Sequence, residues 1–118
     1  MTSTHNLIAS DRVEGTPVVD TRGVKIGTIQ RLMIDKFSGN IAYGVLTFGG
    51  FLGWGEKHFP VPWGSLKYSP RREAYELDMT EEQLRDAPHY EPGEEFDWGD
   101  RPREIEVHNF YRAGGYWY

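Results

Sequence analysis

Between residues 16 and 78 the apolar positions recur in short runs with a period near two, punctuated by turn-forming residues, as in strands half-buried in a small sheet. Residues 16–20 form the first run, and Thr21-Arg22-Gly23 suits a tight hairpin with Gly23 at its left-handed position. In residues 26–35 the apolar positions Ile29, Leu32 and Ile34 are spaced by three and then by two, so a β-bulge near Gln30 and Arg31 is predicted. After a turn over 36–40, residues 41–48 are apolar on both faces around Gly44, which predicts a strand covered on each side. Phe59, Val61 and Trp63 alternate with His58, Pro60 and Pro62, and the prolines confine that strand to an edge or a bulge. Residues 66–69 and 74–78 flank Pro70-Arg71-Arg72-Glu73 as a last hairpin. Then the period changes. Thr80-Glu81-Glu82-Gln83 fits a capping box, with Met79 and Leu84 placed as a hydrophobic staple, so one short helix is predicted over 81–86.

Three segments follow from this pattern: a polar lead-in over 1–14, the strand-bearing domain over 15–90, and an arm over 91–118. The arm opens as a charged, turn-rich stretch that reads as an extended linker and ends in Phe110, Tyr111, Tyr116, Trp117 and Tyr118. Those aromatics would stay wet on a free terminus, so the arm is expected to dock on its own domain or on another copy. In the connection after residue 48, glycines separate Phe51, Leu52 and Trp54, a candidate interaction loop that either closes the mouth of the sheet or serves self-association.

A chain of 118 residues is long enough for one core. It has no cysteine, which excludes disulfides, thiolate metal sites and a cysteine nucleophile. The net charge is −5, and the arm holds seven of the 18 acidic residues against three of the 13 basic ones. Such a surface disfavours non-specific binding of nucleic acid or anionic lipid. The first residues lack the basic and apolar regions of a secretory signal, and no run of eighteen apolar residues occurs, so a cytoplasmic protein is expected.

The chemistry-bearing residues do not assemble into a motif. His5, His58, His89 and His108 are scattered, and only Glu56 with His58 has a same-face strand spacing that begins a metal site, too few ligands to complete one. Asp11, Asp20, Asp35 and Asp78 sit beside predicted strands or turns, where carboxylates accept backbone hydrogen bonds. Ser65 lacks a nucleophile-elbow setting, and no glycine-rich phosphate loop precedes a helix. No catalytic residue, metal or cofactor is therefore expected.

One set of residues, taken together, resembles a known family: Gly23 to Gly27, the Asp35 turn, Gly44, Phe48-Gly-Gly-Phe-Leu-Gly, Glu56-Lys57, Val61-Pro62-Trp63, and the capped helix with Ala87-Pro88. The chain resembles the PRC-barrel family, the small β-barrel at the cytoplasmic end of the photosynthetic reaction centre H subunit and in ribosome-maturation factors. The resemblance covers residues 7 to 90 and implies a mainly β fold. The implied domain is a six-stranded antiparallel SH3-like barrel with one short helix, here with a C-terminal extension. It also implies a non-enzymatic protein-interaction module, expected here as a homodimer with no direct nucleic-acid contact. Two further roles implied by the family are a membrane-proximal accessory of a photosynthetic or respiratory complex and a ribosome-assembly module. The chain lacks the H subunit's transmembrane helix and the maturation factors' second domain.

Overall fold

The computed structural model describes residues 6–48 and 57–117. A short helix α1 (Ser10–Val13) precedes the strands β1 (Pro17–Val19), β2 (Lys25–Ile34), β3 (Ile41–Phe48), β4 (Lys57–Pro62), β5 (Leu66–Ser69) and β6 (Ala74–Leu77). The helices α2 (Glu81–Leu84) and α3 (Arg101–Tyr111) follow. The strands form one six-stranded sheet in the order β4-β3-β2-β1-β6-β5. The mainly β, six-stranded fold expected from the sequence is therefore present.

One detail of the topology differs from an all-antiparallel barrel. β1 and β6 run parallel, with Val18 opposite Tyr75 and Val19 opposite Glu76, while every other neighbouring pair is antiparallel. The cause is local. A 3₁₀ turn at Trp63–Ser65, not a hairpin, joins β4 to β5. β5 therefore keeps the sense of β4, and β6 returns in the sense of β1.

The bulge falls where the apolar spacing places it, since the β2–β3 register shifts between Ile29 and Arg31 and leaves Gln30 as the extra residue. The prolines of β4 obey a parity rule. His58 turns its N–H and C=O outward, to Tyr90 at 2.9 Å each, so Pro60 and Pro62 also face the outer edge, where β3 asks for no donor. At Gly44 in β3 a Cβ would lie 3.0 Å from Leu66 Cδ1 and 3.5 Å from the Trp63 ring. Glycine there lets the 3₁₀ turn close over the sheet. The core runs through Val18, Ile29, Leu46, Phe59, Val61 and Leu77, with Leu84 of α2 and Val107 of α3 joining it.

The capping box is present in full: Thr80 Oγ1 accepts from Gln83 N–H at 3.2 Å, and Gln83 Oε1 accepts from Thr80 N–H at 2.9 Å. The arm departs from its sequence expectation. Beyond a stretch without regular structure it forms the 11-residue α3, the longest helix among the described residues. Asp100 caps its start by accepting from Arg103 N–H, and Pro102 occupies its first turn, where the missing N–H costs nothing. Among the described residues no helix is long and apolar enough to cross a membrane.

Candidate interaction site

The arm is fixed to the barrel by a buried polar network centred on Tyr43 of β3. The Tyr43 hydroxyl donates to Glu104 Oε2 at 2.8 Å and lies 2.9 Å from His108 Nε2. A hydroxyl has one proton, so His108 Nε2 must donate and the neutral ring carries its hydrogen there. Both arm residues are side chains one turn apart on α3, and both are withdrawn from water, Glu104 at 2% and His108 at 4% exposure. Arg101 stands 3.7 Å from Glu104 Oε1, and its guanidinium lies 3.8 Å from the centre of the Trp117 ring.

Burial and the adjacent Glu104 push the Tyr43 phenol far above its ordinary value. Burial, followed by Glu104, does the same to Tyr116 in smaller measure. Burial holds His108 below its ordinary value, and the Gly114 backbone and Glu104 pull it back only in part. A phenol made harder to ionise, with its oxygen occupied by Glu104 and His108, is the reverse of an activated nucleophile.

Two clefts open beside this network. The first, of about 480 Å³, is walled by Asp35, Ser38 and Asn40 of the β2–β3 turn, by Ala42, Pro62 and Trp63, and by His108 and Tyr116. The second, of about 590 Å³, lies between the end of α3 and the β6–α2 connection. Ser65 and Arg112 line both.

The turn at the mouth of the first cleft is held tightly. Asp35 accepts from the Phe37 amide at 3.1 Å and from Ser38 Oγ at 3.0 Å, Ser38 Oγ accepts from Asn40 N–H, and Gly39 sits at φ +80°. The Phe37 amide, then Ser38, hold the Asp35 carboxyl below its ordinary value. At the tip, Phe37 is 91% exposed.

The residues singled out in the sequence have varied fates. Phe51, Leu52 and Trp54, with Glu56 and His5, lie outside the described residues, as does Tyr118. Tyr111 is buried, Phe110 is half-buried, and Tyr116 and Trp117 lie over His108. Trp63 is in the 3₁₀ turn, not a strand, and packs on Tyr75 with ring centres 5.2 Å apart. His58 is fastened to Gln30 at 2.7 Å and stacked on Tyr90, and His89 reaches the Ala87 carbonyl. No group of three metal-ligating side chains assembles among the described residues. Asp20 is buried in the β1–β2 turn. Burial raises its carboxyl, but Arg22 and the amides of Val24 and Arg22 outweigh that and hold it below the ordinary value. Asp11 is exposed on α1, while Asp78 borders the second cleft.

Tyr43, Glu104, Arg112 and Phe37 did not stand out in the sequence. Phe37 had a signal: a large apolar residue inside an otherwise polar turn that begins with Asp35 and ends with Gly39-Asn40. The others had none, because their roles arise from contacts more than 60 positions apart or from a helix end.

The PRC-barrel domain family matches residues 5–84, which is most of the chain. This protein belongs to the PRC-barrel domain family. Membership marks it in general terms as a protein-interaction module. No curated protein matches the chain. The family match stops at the end of α2, so α3 with Glu104, His108 and Arg112 lies beyond the matched residues.

Proposed function

We propose that this PRC-barrel protein is a non-enzymatic interaction module that pairs with a second copy of itself, each Phe37 seated in the first cleft of the other. The observation that carries the reading is the adjacency of knob and hole: the turn that presents Phe37 is itself a wall of that cleft. A two-fold axis requires a self-complementary patch, and a knob beside its own receptor is one. Ile34, also exposed, extends the apolar patch beside the turn.

Energetics favour the same arrangement. Burying a Phe side chain contributes about 1.5–3 kcal/mol, and a turn already locked by Asp35 and Ser38 loses little freedom on docking. Charge agrees: Lys36 next to the knob would approach the ionised Asp35 on the wall of the other copy's cleft. The non-enzymatic part of the reading is supported by the Tyr43 hydroxyl, which is enclosed and satisfied on both sides.

Sedimentation equilibrium of the full chain and of Phe37→Ser tests this. The wild type should dimerise below about 100 µM and Phe37→Ser should stay monomeric, with thermal unfolding equal to that of the wild type once the wild type is diluted to monomer, because the ring is exposed and outside the core. A wild type that remains monomeric, or a variant that dimerises equally well, would overturn the proposal.

A further inference from the structure

The walls of the first cleft come from two parts of the molecule. The barrel supplies the β2–β3 turn and the 3₁₀ turn at Trp63–Ser65, and the arm supplies His108, Arg112, Gly114 and Tyr116. Tyr43 joins the two. Its ring centre lies 5.4 Å from that of Trp98 in the connection, 5.2 Å from His108 on α3 and 5.6 Å from Tyr116 in the tail. The tail is folded back on its own helix. The Ala113 N–H donates to the His108 carbonyl at 2.9 Å, and Trp117 packs at 80° to the His108 ring with the Arg101 guanidinium over its face. The arm's side of the cleft therefore leaves whenever α3 leaves Tyr43.

Most of the apolar core lies between strands, whereas the centre of the arm's contact is polar, with Glu104 and His108 sharing one Tyr43 hydroxyl. Such hydrogen bonds are exchanged for bonds to water on opening, so this contact gives way before the sheet does. With α3 lifted, a Phe37 arriving from another copy meets only the barrel's side of the cleft and buries less of its ring. The converse holds by linkage. A Phe37 already seated against the arm's wall holds the arm down, and each equilibrium shifts the other by the same factor.

We propose that the arm is a latch for self-association: the cleft that receives Phe37 is complete only while α3 is seated on Tyr43, so docking of the arm and pairing of two copies stabilise each other. This rests on the Phe37 pairing proposed above and adds its control, since whatever draws the arm off Tyr43 separates the copies.

Hydrogen exchange and sedimentation equilibrium of the full chain, run at matched concentrations, test the latch apart from the pairing. In the wild type, amides 101–111 should exchange about 3-fold or more slowly at about ten times the dimer Kd than at about a tenth of it, because pairing depletes the undocked state. Phe37→Ser should exchange at the diluted rate at every concentration. Val107 is fully buried where α3 joins the core, so Val107→Asp places a carboxylate there and should lift the helix. Amides 101–111 should then lose protection and the dimer Kd should rise about 10-fold or more, with β3 amides still protected. If Val107→Asp also unfolds the sheet, the concentration dependence of the wild type decides alone. A wild type that pairs through Phe37 while its arm exchanges at one rate throughout overturns the latch and leaves the pairing in place, as does a folded Val107→Asp that pairs as tightly as the wild type. A wild type that never pairs removes the pairing and the latch together.

Discussion

The barrel and the arm are held by opposite means. In the sheet, strand alternation buries Val18, Ile29, Leu46 and Val61, and the fold follows from removing apolar surface from water. On α3 the buried positions are Glu104, Val107, His108 and Tyr111, helical in spacing but half polar. Apolar contact tolerates small sliding, whereas two hydrogen bonds to one Tyr43 hydroxyl define a single seating of the helix. The barrel therefore supplies stability, and the network supplies position.

The sharpest way to break that contrast is a pair of deletions read by hydrogen exchange. Leu46→Ala should cost about 2–5 kcal/mol of global stability, because it opens a cavity in the core. Exchange should then rise in barrel and arm together. Glu104→Ala, which strips the Tyr43 hydroxyl of its acceptor and the Arg101 side chain of its carboxylate, should cost about 1–3 kcal/mol. Its faster exchange should be confined to amides 101–111, with β2 and β3 still protected. Equal loss of protection across β2, β3 and α3 in Glu104→Ala would mean that arm and barrel are one cooperative unit.

A smaller effect separates the two regions by pH. His108 faces Glu104 and Arg101 of its own helix, Tyr43 of β3, and Tyr116 and Trp117 of the last turn. Burial keeps its folded value below 6.5, so as pH falls past 6.5 the unfolded chain takes up the proton first. The stabilisation is complete above 6.5 and is lost as pH drops through the folded value. Asp20 and Asp35 have folded values below 3.8, so their contribution is complete above 3.8 and fails only in stronger acid. Urea unfolding at a series of pH values should show the wild type weakening from pH 7 to pH 5 by more than His108→Gln, which retains a donor for Tyr43. Parallel curves would remove His108 from the account.

How much of this was legible in the sequence follows the same division. Where water drives structure, the apolar spacing carried the information. The Ile29, Leu32, Ile34 interval located the bulge, Pro60 and Pro62 located the edge strand, and Thr80 with Gln83 located α2. The parallel β1–β6 pair was not visible, because it depends on whether Trp63–Ser65 reverses the chain. Nor was α3, whose buried stripe contains a Glu and a His and whose Ile105 faces water, so an apolar period was absent. The usable signal was its start, Asp100 followed by Pro102. The clefts were least legible of all, since each is assembled from segments distant in sequence.

The smallest expected effect concerns the end of α3, where the arm carries a cost that its docking does not explain. Arg112 caps the helix in the left-handed region, with its N–H on the Asn109 carbonyl, and glycine adopts that conformation without strain. Arg112→Gly should therefore raise stability by about 0.5–1 kcal/mol, measured by urea unfolding, while the Tyr43 network stays intact. In the barrel Gly23 and Gly39 already supply glycine at left-handed turns, while Glu73 of the β5–β6 turn, at φ 50°, carries the same kind of strain as Arg112. If Arg112→Gly destabilises the protein instead, the guanidinium holds the fold together. If it stabilises it, arginine is kept at that position for what it presents to the two clefts.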